Sequence, residues 1–282
     1  MVEKKGLLIG GLVIALVLSF ALAMNTEAKD DESILQKMQR TGKLKVGVAH
    51  TPPACQRNKD NQQWEGINID IVKDLGKYTN VEIEYVETTW DAFPAALNGK
   101  KFDAYVPGTF ATVERALVMA FTVPAGYEGL MMGVNKDRKD EFKEWDDFNS
   151  PDVTIGVTLG TVEELRAKEF FPTANHRVIK ARDSSQVGLE LKSGRIDAWF
   201  TGANYIVNFI RQNKDWLHIF KNGEQIGATP IGWAVRYGDP DWLNFLNTFL
   251  EYERAQGKLD LYRRKWAPEY YEFQRSGTGK LD

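Results

Sequence analysis

The sequence predicts an α/β protein of two lobes, and three observations carry that prediction. The chain is 282 residues long, and at roughly 100 to 200 residues per domain this length calls for two compact units. Its apolar residues switch repeatedly between the period of two that suits a strand and the period near 3.6 that suits a helix. The order strand, helix, strand recurs along the chain, which implies parallel strands with helices on both faces of a sheet.

Each element follows from its own pattern. Asp30 to Arg40 places Ile34, Leu35 and Met38 on one side of a helix that Thr41-Gly42 ends. Leu44 to Val48 reads as a strand, Asn68 to Tyr78 as an amphipathic helix, and Val81 to Val86 as a strand alternating Val, Ile and Tyr with Glu. Phe93 to Asn98 is helical, Phe102 to Val106 extended, and Val113 to Ala120 helical again before the turn at Pro124-Ala125-Gly126. Tyr127 to Val134 is an apolar stretch whose single charge is Glu128. The pattern then restarts with a strand at Val153 to Val157, a helix at Thr161 to Glu169, an extended segment at His176 to Ala181, a helix at Ser185 to Lys192 and a buried strand at Asp197 to Phe200. Ile226 to Arg236 is extended, and Trp242 to Gln256 with Leu259 to Trp266 supplies two closing helices. There is no tandem repeat and no low-complexity segment.

Composition narrows the partners. With 43% hydrophobic and 27% charged residues of interspersed sign, the chain is an ordinary globular one. A net charge of −3 and a pI near 5.8 argue against nucleic acid, whose phosphates need a basic surface. At the N-terminus, Lys4 and Lys5 precede an uncharged run from Gly6 to Ala23 that ends in the small-x-small triplet Ala21-Leu22-Ala23. This pattern is that of an export signal, and the run also reaches the roughly 18 residues of a membrane-spanning candidate, so cleavage and anchoring both stand. Cys55 is the sole cysteine, so no intrachain disulfide forms, and it lies far from the site of a lipid anchor. Export without a lipid tether points to a periplasmic protein.

In an α/β sheet, ligands bind outside the carboxyl ends of the strands. The turns that satisfy this are Thr51 to Gln56, Thr88 to Trp90, Pro107 to Thr112, Thr158 to Thr161 and Thr201 to Tyr205. Arg115 closes the segment PGTFATVER after a buried strand; its planar fork either holds a carboxylate with two parallel hydrogen bonds or pairs on the surface with Glu114. Thr161, after Gly160, is an N-cap with free amides above it, which serve either as an anion site or as plain capping. Trp90 walls a ligand or packs in the core. His50, His176 and His218 are scattered, and neither a metal spacing nor a glycine-rich phosphate loop is present. No cofactor and no catalytic constellation is therefore expected, and Cys55 reads as a small apolar filler.

Eight segments in order carry a resemblance. They are LKVGVAHTPPA from Leu44, WEGINIDIVKDL from Trp64, TTWDAFPAALNGKKFDAYVPG from Thr88, TVERALVMAFTVP ending at Pro124, VTIGVTLGTVEE from Val153, LKSGRIDAWF ending at Phe200, IGWAVRYGDPDW from Ile231, and LNTFLEYERAQGKLDLYRRKW ending at Trp266. Together they resemble the extracellular solute-binding proteins of family 3, the type II periplasmic proteins that deliver polar amino acids to ABC importers. The resemblance implies two α/β lobes joined by two crossing strands, the first lobe discontinuous at 29–128 and 228–282, the second at 129–227. It implies hinge strands near Tyr127 to Gly129 and Ala228 to Ile231, an ABC permease as partner, and a monomer. Ligand then shifts an open-closed equilibrium, because contacts from both lobes coexist only in the shut cleft. By the same resemblance Arg115 holds the ligand carboxylate, Trp90 is an aromatic wall, and Thr161 is the facing Gly-Ser/Thr turn.

The departures matter as much. The place of the acid that usually pairs with the ligand ammonium is Gly202, followed by Ala203 and Asn204. Thr51 and Ala54 stand where aromatics are usual, and Phe110 where Ser or Thr is usual. An unpaired buried ammonium is costly, so loss of that acid disfavours an ordinary α-amino acid unless another carboxylate or carbonyl replaces it; the sharper expectation is an organic acid, aromatic ones included, with Asn204, Thr201 and Thr109 offering neutral hydrogen bonds. Two alternatives remain open: an accessory or sensor protein on this fold, and a cyclohexadienyl dehydratase, whose acidic glutamate would follow the DAWF strand where this chain reads Thr201 to Tyr205.

Overall fold

The structure, a computed structural model, describes residues 32–276. The expected export signal at residues 6–23 lies outside them.

Ten strands form one mixed sheet. The chain opens with α1 (Ile34–Thr41), β1 (Lys43–Val48), the short hairpin β2 (Gln56–Arg57) and β3 (Trp64–Glu65), α2 (Ile67–Thr79) and β4 (Glu82–Glu87). It continues with α3 (Phe93–Asn98), β5 (Ala104–Phe110), α4 (Val113–Ala116), β6 (Ala120–Phe121) and the long β7 (Gly126–Asn135). Next come β8 (Thr154–Thr158), α5 (Val162–Phe170), β9 (Asn175–Ile179), α6 (Ser185–Lys192), β10 (Ala198–Gly202), α7 (Ala203–Ile210) and β11 (Leu217–Ile219). The chain returns through β12 (Ile226–Val235) and closes with α8 (Pro240–Ala255), α9 (Lys258–Trp266) and α10 (Pro268–Ser276).

The strand order β4-β1-β5-β12-β7-β10-β8-β9 explains the two-part organisation. Two parallel blocks, β4-β1-β5 and β10-β8-β9, are joined through β12 and β7, which run antiparallel to each other and to the block each one meets. Each parallel pair needs a crossover connection, and α2, α3, α5 and α6 lie in them. The chain thus leaves the first half through β7, builds the second, and returns through β12.

The two halves are filled differently. Against the first lie aliphatic side chains of α2 such as Ile69, Ile71 and Leu75, together with Trp233 and Trp242. The second contains an aromatic knot in which Phe142 stacks on Phe148 at 4.4 Å, and Phe148 meets Phe220 edge-on at 4.9 Å. Phe148 is fully buried, and truncation to alanine is expected to cost about 3–5 kcal/mol of stability. The Asp239 carboxylate, at the N-cap of α8, accepts from the Trp242 amide at 3.0 Å and from the Ile34 amide at 2.7 Å, tying the first helix to one near the end.

Several boundaries differ from the sequence expectation. The segment 113–120 is helical only over Val113–Ala116, because Ala120 and Phe121 pair with Val235 and Ala234 of β12 as a short strand. A tenth helix follows Trp266, with Pro268 at its first position. Its Tyr270, Tyr271 and Phe273 are buried, α10 packs on α7 of the other half, and Glu269 pairs with Arg211 at 2.8 Å.

Candidate functional site

A cavity of about 370 Å³ opens between the two halves, at the carboxyl ends of the strands. Thr51, Trp90, Phe110, Arg115, Thr161 and Asn204 line it. Thr109 does not: its neighbours on β5 place it in the sheet interior, fully buried and with no hydrogen-bond partner for its hydroxyl.

The cationic end is a compact local device. Thr112 caps α4 by accepting from the Arg115 amide at 3.3 Å. The Arg115 guanidinium donates to Phe110 O at 3.3 Å and, across the cleft, to Gly160 O at 3.1 Å. It lies 5.9 Å from the Trp90 ring centre and 5.7 Å from that of Phe93. Trp90 in turn meets Tyr105 edge-on at 5.6 Å, so the aromatic wall is braced from behind. Burial lowers the pKa of Arg115, but a guanidinium stays charged at every working pH. Among the described residues no carboxylate lies within ion-pair distance of it; Glu163 and Glu114 act on its charge at longer range, and carbonyl oxygens and aromatic faces complete its surroundings.

Facing it, Gly160 sits at φ +79°, a conformation that glycine adopts without strain. A Cβ there would meet Asp91 Cα at 2.5 Å, so only glycine lets the two halves touch at this point. Thr161 does not cap α5 with its side chain as expected. Its hydroxyl donates back to Thr158 O at 2.7 Å, and the Gly160 amide is taken by Glu164 at 2.9 Å.

The opposite end is acidic, and the sequence position alone hid this. Gly202 carries no side chain, yet the point where its Cβ would stand is 2.9 Å from Glu128 Oε1 and 3.6 Å from Glu163 Oε1. The Glu128 Oε1 accepts from the Asn204 amide at 2.8 Å, and Glu163 Oε1 from the Gly202 amide at 3.0 Å. Burial, reinforced by the neighbouring Glu163, pushes the Glu128 carboxyl up to about 8 despite the Asn204 hydrogen bond. Position 202 itself carries no acid, as the sequence shows, and the carboxyl groups beside it arrive from β7 and from the first turn of α5. The lone charge in the apolar stretch of β7 was the signal for Glu128.

The remaining lining comes from the closing helices. Arg263, Tyr270, Tyr271 and Gln274 reach the cavity, and the sequence reading singled out none of them. Polar contacts also join the halves around the rim. Glu87 accepts from Arg57 at 3.1 Å and from Arg182 at 2.7 Å, and His50 Nδ1 lies 3.3 Å from Asp183. Cys55 is buried at the foot of the first half, where burial raises its thiol pKa far above normal, so it fills space.

Comparison with known proteins agrees with this architecture. The sequence model of the bacterial extracellular solute-binding proteins, family 3, matches residues 44–269. The L-cystine-binding protein TcyJ of Escherichia coli (strain K12) is 27% identical over 259 residues, which covers 92% of this chain and 94% of that protein. Among solved structures, the ancestral amino acid-binding protein AncCDT-1, a precursor of cyclohexadienyl dehydratase, superposes with a TM-score of 0.76 at 34% identity, covering 83% of this chain and all of that one. A putative binding component of an ABC transporter from Wolinella succinogenes, complexed with lysine, gives a TM-score of 0.75 at 27% identity, covering 80% of this chain and 96% of that one.

Proposed function

From the premise that the chain belongs to the bacterial extracellular solute-binding proteins of family 3, with their two-lobed type II fold, we propose that it captures a small carboxylate-bearing solute between its lobes for an ABC importer. The observation that carries this reading is Arg115, a half-buried fork with no carboxylate at ion-pair distance among the described residues, which lines a cavity large enough for an amino-acid-sized molecule. A guanidinium in a cleft with no carboxylate directly paired to it is a preformed receptor for one.

Two further features support the reading. The Thr51 hydroxyl and the Asn204 amide oxygen line the cleft and are buried without partners, and such groups are rarely left unsatisfied when their work is done. The lobes, which we place at 29–128 with 228–282 and at 129–227, contribute facing walls, so a ligand that touches Arg115 and the α5 turn favours the shut form. The permease partner, the periplasmic location and the monomeric state belong to the same proposal.

Thermal unfolding of the full-length protein against a panel of amino acids, organic acids and aromatic acids tests it. A ligand at 100 times its dissociation constant should stabilise the fold by about 2.7 kcal/mol, and Arg115→Ala should abolish that shift. A shift that survives Arg115→Ala would overturn the carboxylate assignment.

One observation favours a second reading. A carboxyl that is largely protonated near neutrality, as Glu128 is, is also what a general acid requires. Conversion of prephenate to phenylpyruvate by the purified protein, lost in Glu128→Gln, would replace the binding role with a dehydratase one.

A further inference from the structure

The closing helices reach beyond the half they complete. Only Ala267 separates α9 from α10, so α10 is an arm fixed to α9 without a flexible linker. α9 packs on α2 and α8 of the first half, and α10 packs on α7 of the second. Tyr270 and Phe273 of α10 are buried and stack with ring centres 6.0 Å apart. They belong to one apolar cluster that also holds Ile71 and Leu75 of α2 together with Ala203 and Ile206 of α7. Apolar burial is thus continuous from one half to the other beside the cavity, and Glu269 adds its ion pair with Arg211, just after α7, at 2.8 Å.

The same three helices hold the start of the crossing strand. Arg254 of α8 donates to Pro124 O, Arg263 of α9 to Ala125 O, and Gln274 of α10 to Tyr127 O at 3.3 Å. Tilting α7 away from α9 must pull α10 off one of them, which exposes Tyr270 and Phe273 to water and breaks close packing. The match to the family model ends at residue 269, so all of α10 after its first two residues lies outside the part of the chain that the family model covers.

We propose that α10 is a strap that holds the two halves together from the side of the crossing strands, keeping the free protein near its shut form and making the release of α7 a step of opening. The inference goes beyond solute capture and does not depend on which solute the cleft takes. At the opposite rim the contacts between the halves are polar: Arg182 with Glu87, His50 with Asp183, and Arg115 with Gly160 O. Partly exposed polar pairs exchange readily for water, whereas buried apolar area does not, so the strap rather than the rim carries the preference for the shut form.

Pulsed electron paramagnetic resonance on the full-length protein, stripped of carried-over solute by refolding, tests the strap. Nitroxides are placed on Leu117→Cys, just after α4, and on Glu169→Cys of α5. Both positions are exposed, α4 and α5 face each other at the mouth of the cleft, and the buried Cys55 takes no label. The expected result is one narrow, short distance. Ending the chain at Ala267 should move most of the population to longer distances, and Phe273→Ala should move a smaller share. Arg211→Glu, which sets like charges side by side, should also lengthen the distance, and combining it with Glu269→Arg should restore it. Circular dichroism verifies each fold, and if the shortened chain unfolds, Phe273→Ala and the charge exchange decide. A broad, long distance in the unaltered protein, or distances unchanged in every folded variant, would overturn the strap.

Discussion

The two ends of the cleft are built in opposite ways. The cationic end is local, since Phe110, Thr112 and Arg115 belong to one short segment, and the cap on α4 orients the arginine that follows it. The acidic end is convergent, with Glu128 from β7, Glu163 from α5 and the space of Gly202 from β10. The difference teaches that one end of a cleft can be assembled within a single segment while the other exists only where distant segments meet.

Experiments can sharpen this contrast, beginning with the largest expected effect. Removing the cationic end with Arg115→Ala should weaken a bound carboxylate by about 2–5 kcal/mol, because the partner is left buried and unpaired. Calorimetry would show this as a loss of at least about thirtyfold, and a loss under threefold would mean that the arginine is structural.

Adding a side chain at the acidic end comes next. Gly202→Asp drives a carboxylate into Glu128 and should destabilise the protein by about 1–3 kcal/mol in urea unfolding at pH 8. The penalty should shrink at pH 5, where Glu128 is protonated and overlap alone remains. Equal penalties at the two pH values would show that crowding rather than charge governs the corner.

The unaltered protein offers a third measurement. The folded-state pKa of Glu128 lies near 8, above its ordinary 4.5. Folding therefore takes no penalty from this group below about pH 4.5, and stability is lost as pH rises from there through 8. The slope is at most about 1.4 kcal/mol per pH unit, reduced by whatever water enters the cleft. Glu128→Gln should flatten that part of the stability profile, and an unchanged profile would remove Glu128 as its source. The smallest effect belongs to the rim, where Glu87→Gln breaks pairs with Arg57 and Arg182. Those groups are partly exposed, so a change of under about 1 kcal/mol is expected in the same urea assay.

This asymmetry also explains how much was legible in the sequence. The strand-helix alternation is a local signal, and the sheet followed from it, including the return of the chain through Ile226–Val235. Arg115, Trp90, Phe110, Thr51, Thr161 and Asn204 line the cavity because residues at or just beyond the carboxyl end of a strand face the cleft whatever their partners. Thr109 was misplaced because β5 continues to Phe110, and the pleat turns its side chain into the sheet. The closing helix α10 was missed because an apolar helical spacing does not say which body it covers, and Tyr270 and Tyr271 prove to serve both a core and a cavity. Position 202 misled most. Its lack of an acid suggested a neutral corner, and nothing in the spacing of Glu128, Glu163 and Gly202 announces that they meet.

Glu128 sits on β7, the strand that leaves the first parallel block and enters the second while pairing with β12. That pairing slips between Ile226 and Thr229, with Gly227 at φ +64° in the gap, so the ribbon has a soft spot beside the charge it carries. If the lobes close on ligand as proposed, a rotation of one lobe would turn the ribbon and swing Glu128 relative to Glu163 on the facing wall. Occupancy would then be written directly into the angle between the lobes. A membrane partner that touches only their outer faces could read whether the cleft is loaded without ever contacting what is inside.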